Sequence, residues 1–176
     1  FNPALPEFCI EIMEGLFCYS SGELLDGTPL RGKPLKLMPW HLFCTYAICG
    51  FMLPGTQIRR FTEAGIFCPR KTVKTTWAEG LQTALALWYR RSGVKAKTVA
   101  GSLKQGLEGF DWLVYNFSLL GLVDANNSPG KMKLLNSSLG HSIEGEIWDG
   151  FIDLETLAFK PDLFDAFNAQ LVHLDE

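Results

Sequence analysis

The chain has 176 residues, 47% of them hydrophobic and 20% charged, with a net charge of −3. That length bounds it to one domain or part of one, and that balance suits a soluble globular core. The longest apolar run, Leu42 to Leu53, is too short to span a bilayer, and the first residues lack the basic start and small-residue cleavage site of a secretory signal.

Five cysteines, at positions 9, 18, 44, 49 and 68, are odd in number and irregular in spacing. Such a pattern points to reduced thiols in a cytosolic protein. No C-x-x-C occurs and the three histidines lie far apart, so spacing gives no zinc site. The charge is segregated along the chain. Residues 1–60 are balanced, residues 61–105 carry eight basic and two acidic side chains, and residues 106–176 carry three basic and twelve acidic ones. The basic middle suits phosphate, whereas the acidic end does not favour nucleic acid.

Apolar residues at helical spacing over "PEFCIEIMEGLFCYSSG" predict a first helix, with Gly22 as a stop. Residues 22–38 are rich in Gly, Pro and Lys and read as a connecting loop. "PWHLFCTYAICGFM" predicts a second helix, opened by Pro39 in the first turn and closed by a Pro54-Gly55 turn. "FTEAGIFCP", residues 61–69, reads as a short buried parallel strand. After "RKTVKTT" comes a helix with Trp77, Leu81, Ala84, Leu85 and Trp88 on one face, Arg90 and Arg91 near its negative end, and Gly93 as cap.

"AKTVAG" predicts a second strand. Ser102 and Gln105 then form the two ends of a capping box, ahead of a helix with Leu103, Leu107, Phe110, Val114 and Phe117 along one stripe. Residues 121–145 read as polar loop. "GEIWDGFIDLETLAF" predicts a hairpin turning at Asp149-Gly150, and "NAQLVHLDE" a last strand ending in two carboxylates. Trp77, Trp88, Trp112 and Phe110 read as core, and His173 as packing or edge. Alternating strands and helices give a parallel sheet with ligands at the carboxyl ends of the strands.

Two stretches fall at such ends. "CPRKTVKTT" puts Lys74 and Thr75 in the last two places of G-x-x-x-x-G-K-[ST], with Cys68 and Val73 in place of the glycines. Asp175-Glu176 lies about 100 residues on. A helix start attracts phosphate through its amides and dipole, Lys74 adds a point charge, and Thr75 with Asp175 suits magnesium. Glu176 is placed to orient or deprotonate an attacking water.

"KPLKLMPWH", "RRFTEAGIFCPRKTVKTTWAE", "VAGSLKQG" and "DAFNAQLVHLDE" together resemble, over residues 30–176, the ATPase half of a tailed-phage terminase large subunit. The resemblance implies a three-layer α/β P-loop NTPase of the additional-strand class, with a mostly parallel sheet and helices on both faces. It implies a helical lead-in with the adenine-side motif over 1–60, and an ATPase core over 61–176, cut off after the magnesium-binding strand.

By position, Trp40 and His41 occupy the adenine-side motif, and Arg70, Lys71, Thr72, Val73, Lys74, Thr75 and Thr76 the phosphate loop. Arg70 or Lys71 is placed to stabilise charge, Thr75 and Asp175 to hold magnesium, and Glu176 to act in catalysis. The implied cofactors are ATP and Mg2+. The implied partners are double-stranded DNA, a portal protein, the small terminase subunit and further copies in a ring, in the host cytoplasm and transiently on the procapsid, with no membrane.

Three positions depart from the family pattern: His41 replaces glutamine, Ala166 replaces a frequent glycine, and Val73 replaces the loop glycine. A β-branched residue at a glycine position predicts a displaced or strained loop, weak ATP binding and slow hydrolysis. The alternative is a non-catalytic relic of the same fold acting as an interaction domain, and behind it another P-loop motor such as a helicase.

Overall fold

A computed structural model describes residues 1–69, 72–160 and 168–175. The chain forms two compact units, Phe1–Trp77 and Ala78–Glu176.

In the first unit, helix α1 (Ala4–Leu16) and helix α2 (Pro39–Gly50) bury Leu5, Cys9, Ile12, Met13 and Cys49, joined by Phe17, Leu35 and Leu37. The Asn2 N–H donates to the Gly50 carbonyl at 2.8 Å, and the Leu37 N–H to Glu14 Oε1 at 2.8 Å. The start of one helix therefore meets the end of the other, and the pair is antiparallel. Apolar spacing explains α1, and Pro39 in the first turn explains where α2 begins. The loop between them carries isolated bridges at Cys18–Pro34 and Glu23–Pro29. None of the five cysteines is in a disulfide among the described residues, and the Cys9 and Cys49 thiols hydrogen-bond to each other.

Residues 61–69 correct the sequence reading. They form no strand, and Phe61, Ile66 and Phe67 are exposed. A buried strand needs neighbours for its N–H and C=O groups, and an apolar run specifies no such neighbour.

The second unit holds a five-stranded sheet of order β2-β3-β4-β1-β5. Its members are β1 (Val94–Ala100), β2 (Lys133–Asn136), β3 (Gly140–Ile147), β4 (Gly150–Ala158) and β5 (Leu171–Asp175). β1 lies between β4 and β5 and is parallel to both, while β2-β3 and β3-β4 are antiparallel. The sheet is thus mixed rather than mostly parallel, because β2, β3 and β4 are joined by short turns that force antiparallel pairing.

Side chains alternate faces along a strand. The registers Thr98–Thr156, Thr98–His173 and Ala100–Asp175 put these residues on one face. Helix α3 (Lys74–Tyr89) reaches that face through Glu79, which bonds Thr98. Helix α4 (Leu103–Leu119) reaches it through Gly106, where a Cβ would come within 2.7 Å of Thr156. Among the described residues of this unit, both helices lie on one face, not on both. The other face carries charge, with Lys97 Nζ 2.8 Å from Glu155. Burial, then Glu155 and Glu144, push the Asp153 carboxyl up.

Local signals fared unevenly. The Ser102 hydroxyl accepts from the Gln105 N–H at 3.3 Å, and Gly93 caps with φ 71°, both as expected. The stretch 121–145 is not all loop: it contains β2 and the start of β3. β2 is an edge strand with mostly exposed residues, so it leaves no apolar signature. The hairpin turns one residue early, at Trp148-Asp149, since Gly150 already pairs with Ile147. Trp148 takes the left-handed conformation at φ 53°. Gly150 serves close approach instead, as a Cβ there would meet the Arg90 carbonyl oxygen at 2.4 Å. Arg90 and Arg91 leave the helix in a 3₁₀ turn, Arg90–Ser92, and both pair with Asp149 at 2.5 Å. Trp88, expected in the core, is 40% exposed.

Candidate phosphate loop and the groups around it

Lys74, Thr75 and Thr76 form the first turn of α3 and are half-buried. The first amides of a helix have no partner inside it and can face an anion. The chain enters that turn through Val73, whose φ is 61°. Its carbonyl accepts the Trp77 N–H at 3.0 Å, which closes the turn. Position 73 therefore takes the left-handed backbone that glycine takes without strain. A valine there carries backbone strain. Thr72 supports the approach: its hydroxyl donates to the Pro69 carbonyl at 2.9 Å and lies 3.3 Å from Cys68 Sγ. Arg70 and Lys71 lie outside the described residues, as does Glu176.

Trp40 and His41 stand in the same unit. Their rings are 3.9 Å apart, and both face Trp77 of α3, at 5.6 and 5.8 Å. Trp77 is held in turn, since its indole N–H donates to the buried Thr45 hydroxyl at 3.1 Å. His41 is 1% exposed. Its Nδ1 accepts the Met38 N–H at 2.9 Å, so Nε2 carries the proton of the neutral ring and finds no hydrogen-bond partner. Burial holds its pKa below 6.5, opposed by the nearby Thr72 backbone. The imidazole thus caps α2 and packs behind the loop, a fixed position from which little of the ring reaches solvent.

Asp175 ends β5, opposite Ala100 at the end of β1, and is half-buried. It sits at the carboxyl ends of two parallel strands, where open α/β sheets bind ligands. Among the described residues, no cluster of three or more His, Cys, Asp or Glu side chains could hold a metal. Magnesium does not demand such a cluster, since it keeps several waters and takes one or two protein oxygens besides those of phosphates. A hydroxyl and a lysine at a helix start are chemically suited to a phosphate, and a carboxylate at a strand end to magnesium.

One group escaped the sequence reading. Glu79 is buried in α3, beside Thr98, Gln82 and His173. A trace of it was present: Glu79 falls two residues after Trp77 and two before Leu81, inside the helix's buried span. Among the described residues, no helix is long and apolar enough to cross a membrane. No protein-family model matches the chain, and no curated protein or solved structure matches it either.

Proposed function

We propose that the chain is the ATPase part of a viral terminase large subunit, a P-loop NTPase whose hydrolysis of ATP drives double-stranded DNA into a procapsid. A portal protein, the small terminase subunit and further copies in a ring are its partners in that role. The observation that carries the reading is the backbone at Val73. Its φ of 61° is the conformation that the second glycine of a phosphate loop supplies, and α3 starts at the next residue, Lys74, followed by Thr75. A lone Lys-Thr pair is common; a Lys-Thr pair opening a helix behind a left-handed residue is not.

In this reading the amides of Thr72 to Thr76 and the Lys74 ammonium bind the phosphates, and Trp40 with His41 supports the adenine side. Thr75 and Asp175 supply oxygens to magnesium, Asp175 through water. The bound ion neutralises charge that develops on the phosphates. Arg70 stabilises the same charge, and Glu176 orients the water.

The second reading is a non-catalytic relic of this fold. Residues 61–69 favour it, since the stretch leading into the loop is exposed and forms no strand. Thermal unfolding with and without Mg-ATP separates the two. Ligand at a hundredfold excess over its Kd stabilises by about 2.7 kcal/mol, or about 5–10 °C for a chain of this size. No shift at millimolar Mg-ATP would decide for the relic.

A further inference from the structure

The second unit contains a carboxylate where an apolar group would be expected. Glu79 is 1% exposed, on a helix that also buries Leu81, Gln82, Thr83, Ala84, Leu85 and Leu87. Three elements accommodate it. The Thr98 hydroxyl of β1 lies 2.8 Å from Glu79 Oε1, and His173 Nδ1 of β5 lies 3.3 Å from the same oxygen. α4 leaves a notch for it: a Cβ on Gly109 would stand 2.8 Å from Glu79 Cγ and 3.0 Å from Oε1. Gln82 completes the group, donating to the Lys97 carbonyl at 3.0 Å and turning its own oxygen to Thr98 at 3.0 Å.

Burying a carboxylate costs free energy that pairing rarely returns in full. Stability alone does not account for it, so the gain should appear as geometry. β5 has five residues, with Val172 and Leu174 exposed on its other face. Its beginning is pinned, because the Gln170 N–H donates to the Lys95 carbonyl at 2.9 Å and Gln170 Oε1 accepts the Lys95 N–H at 2.7 Å. His173 is the next inward-facing residue but one, and Asp175 is the inward-facing residue after it.

We infer that the Glu79–His173 pair is a positioning device that fixes the end of β5 against α3 and β1, and so sets where the Asp175 carboxylate stands. The inference rests on the magnesium role proposed above for Asp175. Glu79 and His173 touch no ligand themselves; they act through the strand.

The test uses the full chain with His173→Phe, which keeps a ring and loses the hydrogen bond, and His173→Gln, which keeps a donor. Two measurements are needed: amide hydrogen exchange across Leu171–Asp175, and calorimetric titration with a non-hydrolysable ATP analogue, with and without magnesium. In His173→Phe, exchange in β5 should rise and magnesium-dependent affinity should fall about ten- to hundredfold, the usual loss when a supporting group is removed. Affinity without magnesium should not change, and His173→Gln should restore most of both.

Unchanged exchange overturns the inference. Equal losses with and without magnesium also overturn it, because the pair would then be a general stabiliser. If the parent chain binds no nucleotide, the ATPase reading fails, and exchange alone decides whether the pair positions β5. Should His173→Phe not fold, Glu79→Gln carries the same test, since it keeps the shape of the side chain and replaces the carboxyl group that faces His173.

Discussion

Replacing Val73 tests the loop through its backbone. At φ 61° a residue with a Cβ meets its own carbonyl, a cost of about 1–2 kcal/mol. Glycine removes that cost but restores freedom to the unfolded chain, a loss of about 0.4–1 kcal/mol. Val73 is half-buried, so Val73→Gly alone would mix these terms with lost packing. The deciding comparison is Val73→Gly against Val73→Ala. Both variants lose the isopropyl group, and only alanine keeps the strain.

At this position glycine should therefore be the more stable of the two, by up to about 1.5 kcal/mol, the difference between those two terms. In an ordinary helical position the order is reversed, and alanine wins by about 0.5–1 kcal/mol. The two cases differ in sign, which thermal or urea unfolding resolves at about 2–4 °C per kcal/mol. Val73→Asn should fall between, since asparagine tolerates this region better than other side chains. If alanine proves more stable than glycine, the left-handed backbone at residue 73 is wrong, and the main support for a phosphate loop goes with it. Strain carried equally by the loop with and without nucleotide cancels from the binding equilibrium. Val73→Gly should then raise stability relative to Val73→Ala while the two differ in ATP affinity by less than about threefold, under 0.7 kcal/mol. A Val73→Gly variant that binds ATP much more tightly than Val73→Ala would instead support the expectation from sequence that valine weakens binding through strain.

Lys74→Ala should abolish the Mg-ATP thermal shift and leave unfolding without nucleotide within about 0.5 kcal/mol of the parent, as a partly exposed lysine contributes little packing; an undiminished shift would remove Lys74 from the phosphate site. Gly109→Ala should cost up to about 2 kcal/mol net in urea unfolding, because a clash of about 1–3 kcal/mol with the Glu79 side chain outweighs the roughly 1 kcal/mol that alanine gains over glycine inside a helix; a variant more stable than the parent by about 1 kcal/mol would mean that α4 leaves no such notch. His41 should give stability an acid-side slope. Its folded-state pKa lies below 6.5 through burial, so below that pH the unfolded chain binds the proton more readily, and stability falls as pH drops and is fully present above it. Protonation would also turn Nδ1 into a donor facing the Met38 N–H. Urea midpoints between about pH 5 and 7 should show a shallower slope in His41→Gln than in the parent.

Of the described helices, α1, α3 and α4 were legible because each carries an apolar stripe at helical spacing, whereas α2 was legible from a continuous apolar run behind Pro39, since the face it buries holds His41, Thr45 and Cys49. Helix ends were legible where a single residue decides them, as at Ser102 and Gly93. β2 and the 61–69 stretch failed for opposite reasons. The first is an exposed edge strand with too few apolar residues to announce itself; the second has the apolar residues and forms no strand. In the site, Val73 was readable because the conformation it must adopt follows from its place before Lys-Thr. The Glu79–His173 contact was not, since 94 residues separate its partners.

Yet the sequence held one pointer to the buried carboxylate. Gly106 and Gly109 sit inside α4, within its first two turns, where each costs about 1 kcal/mol against alanine. Two such glycines one turn apart imply that something approaches the helix too closely for a methyl group. At Gly106 it is Thr156 of the sheet; at Gly109 it is Glu79. The glycines specify the closeness of the approach, and only the fold specifies which group approaches. That the group at Gly109 is a carboxylate, in a unit with Leu81, Leu85 and Leu113 available for packing, is the reason to look for its purpose in the strand it holds.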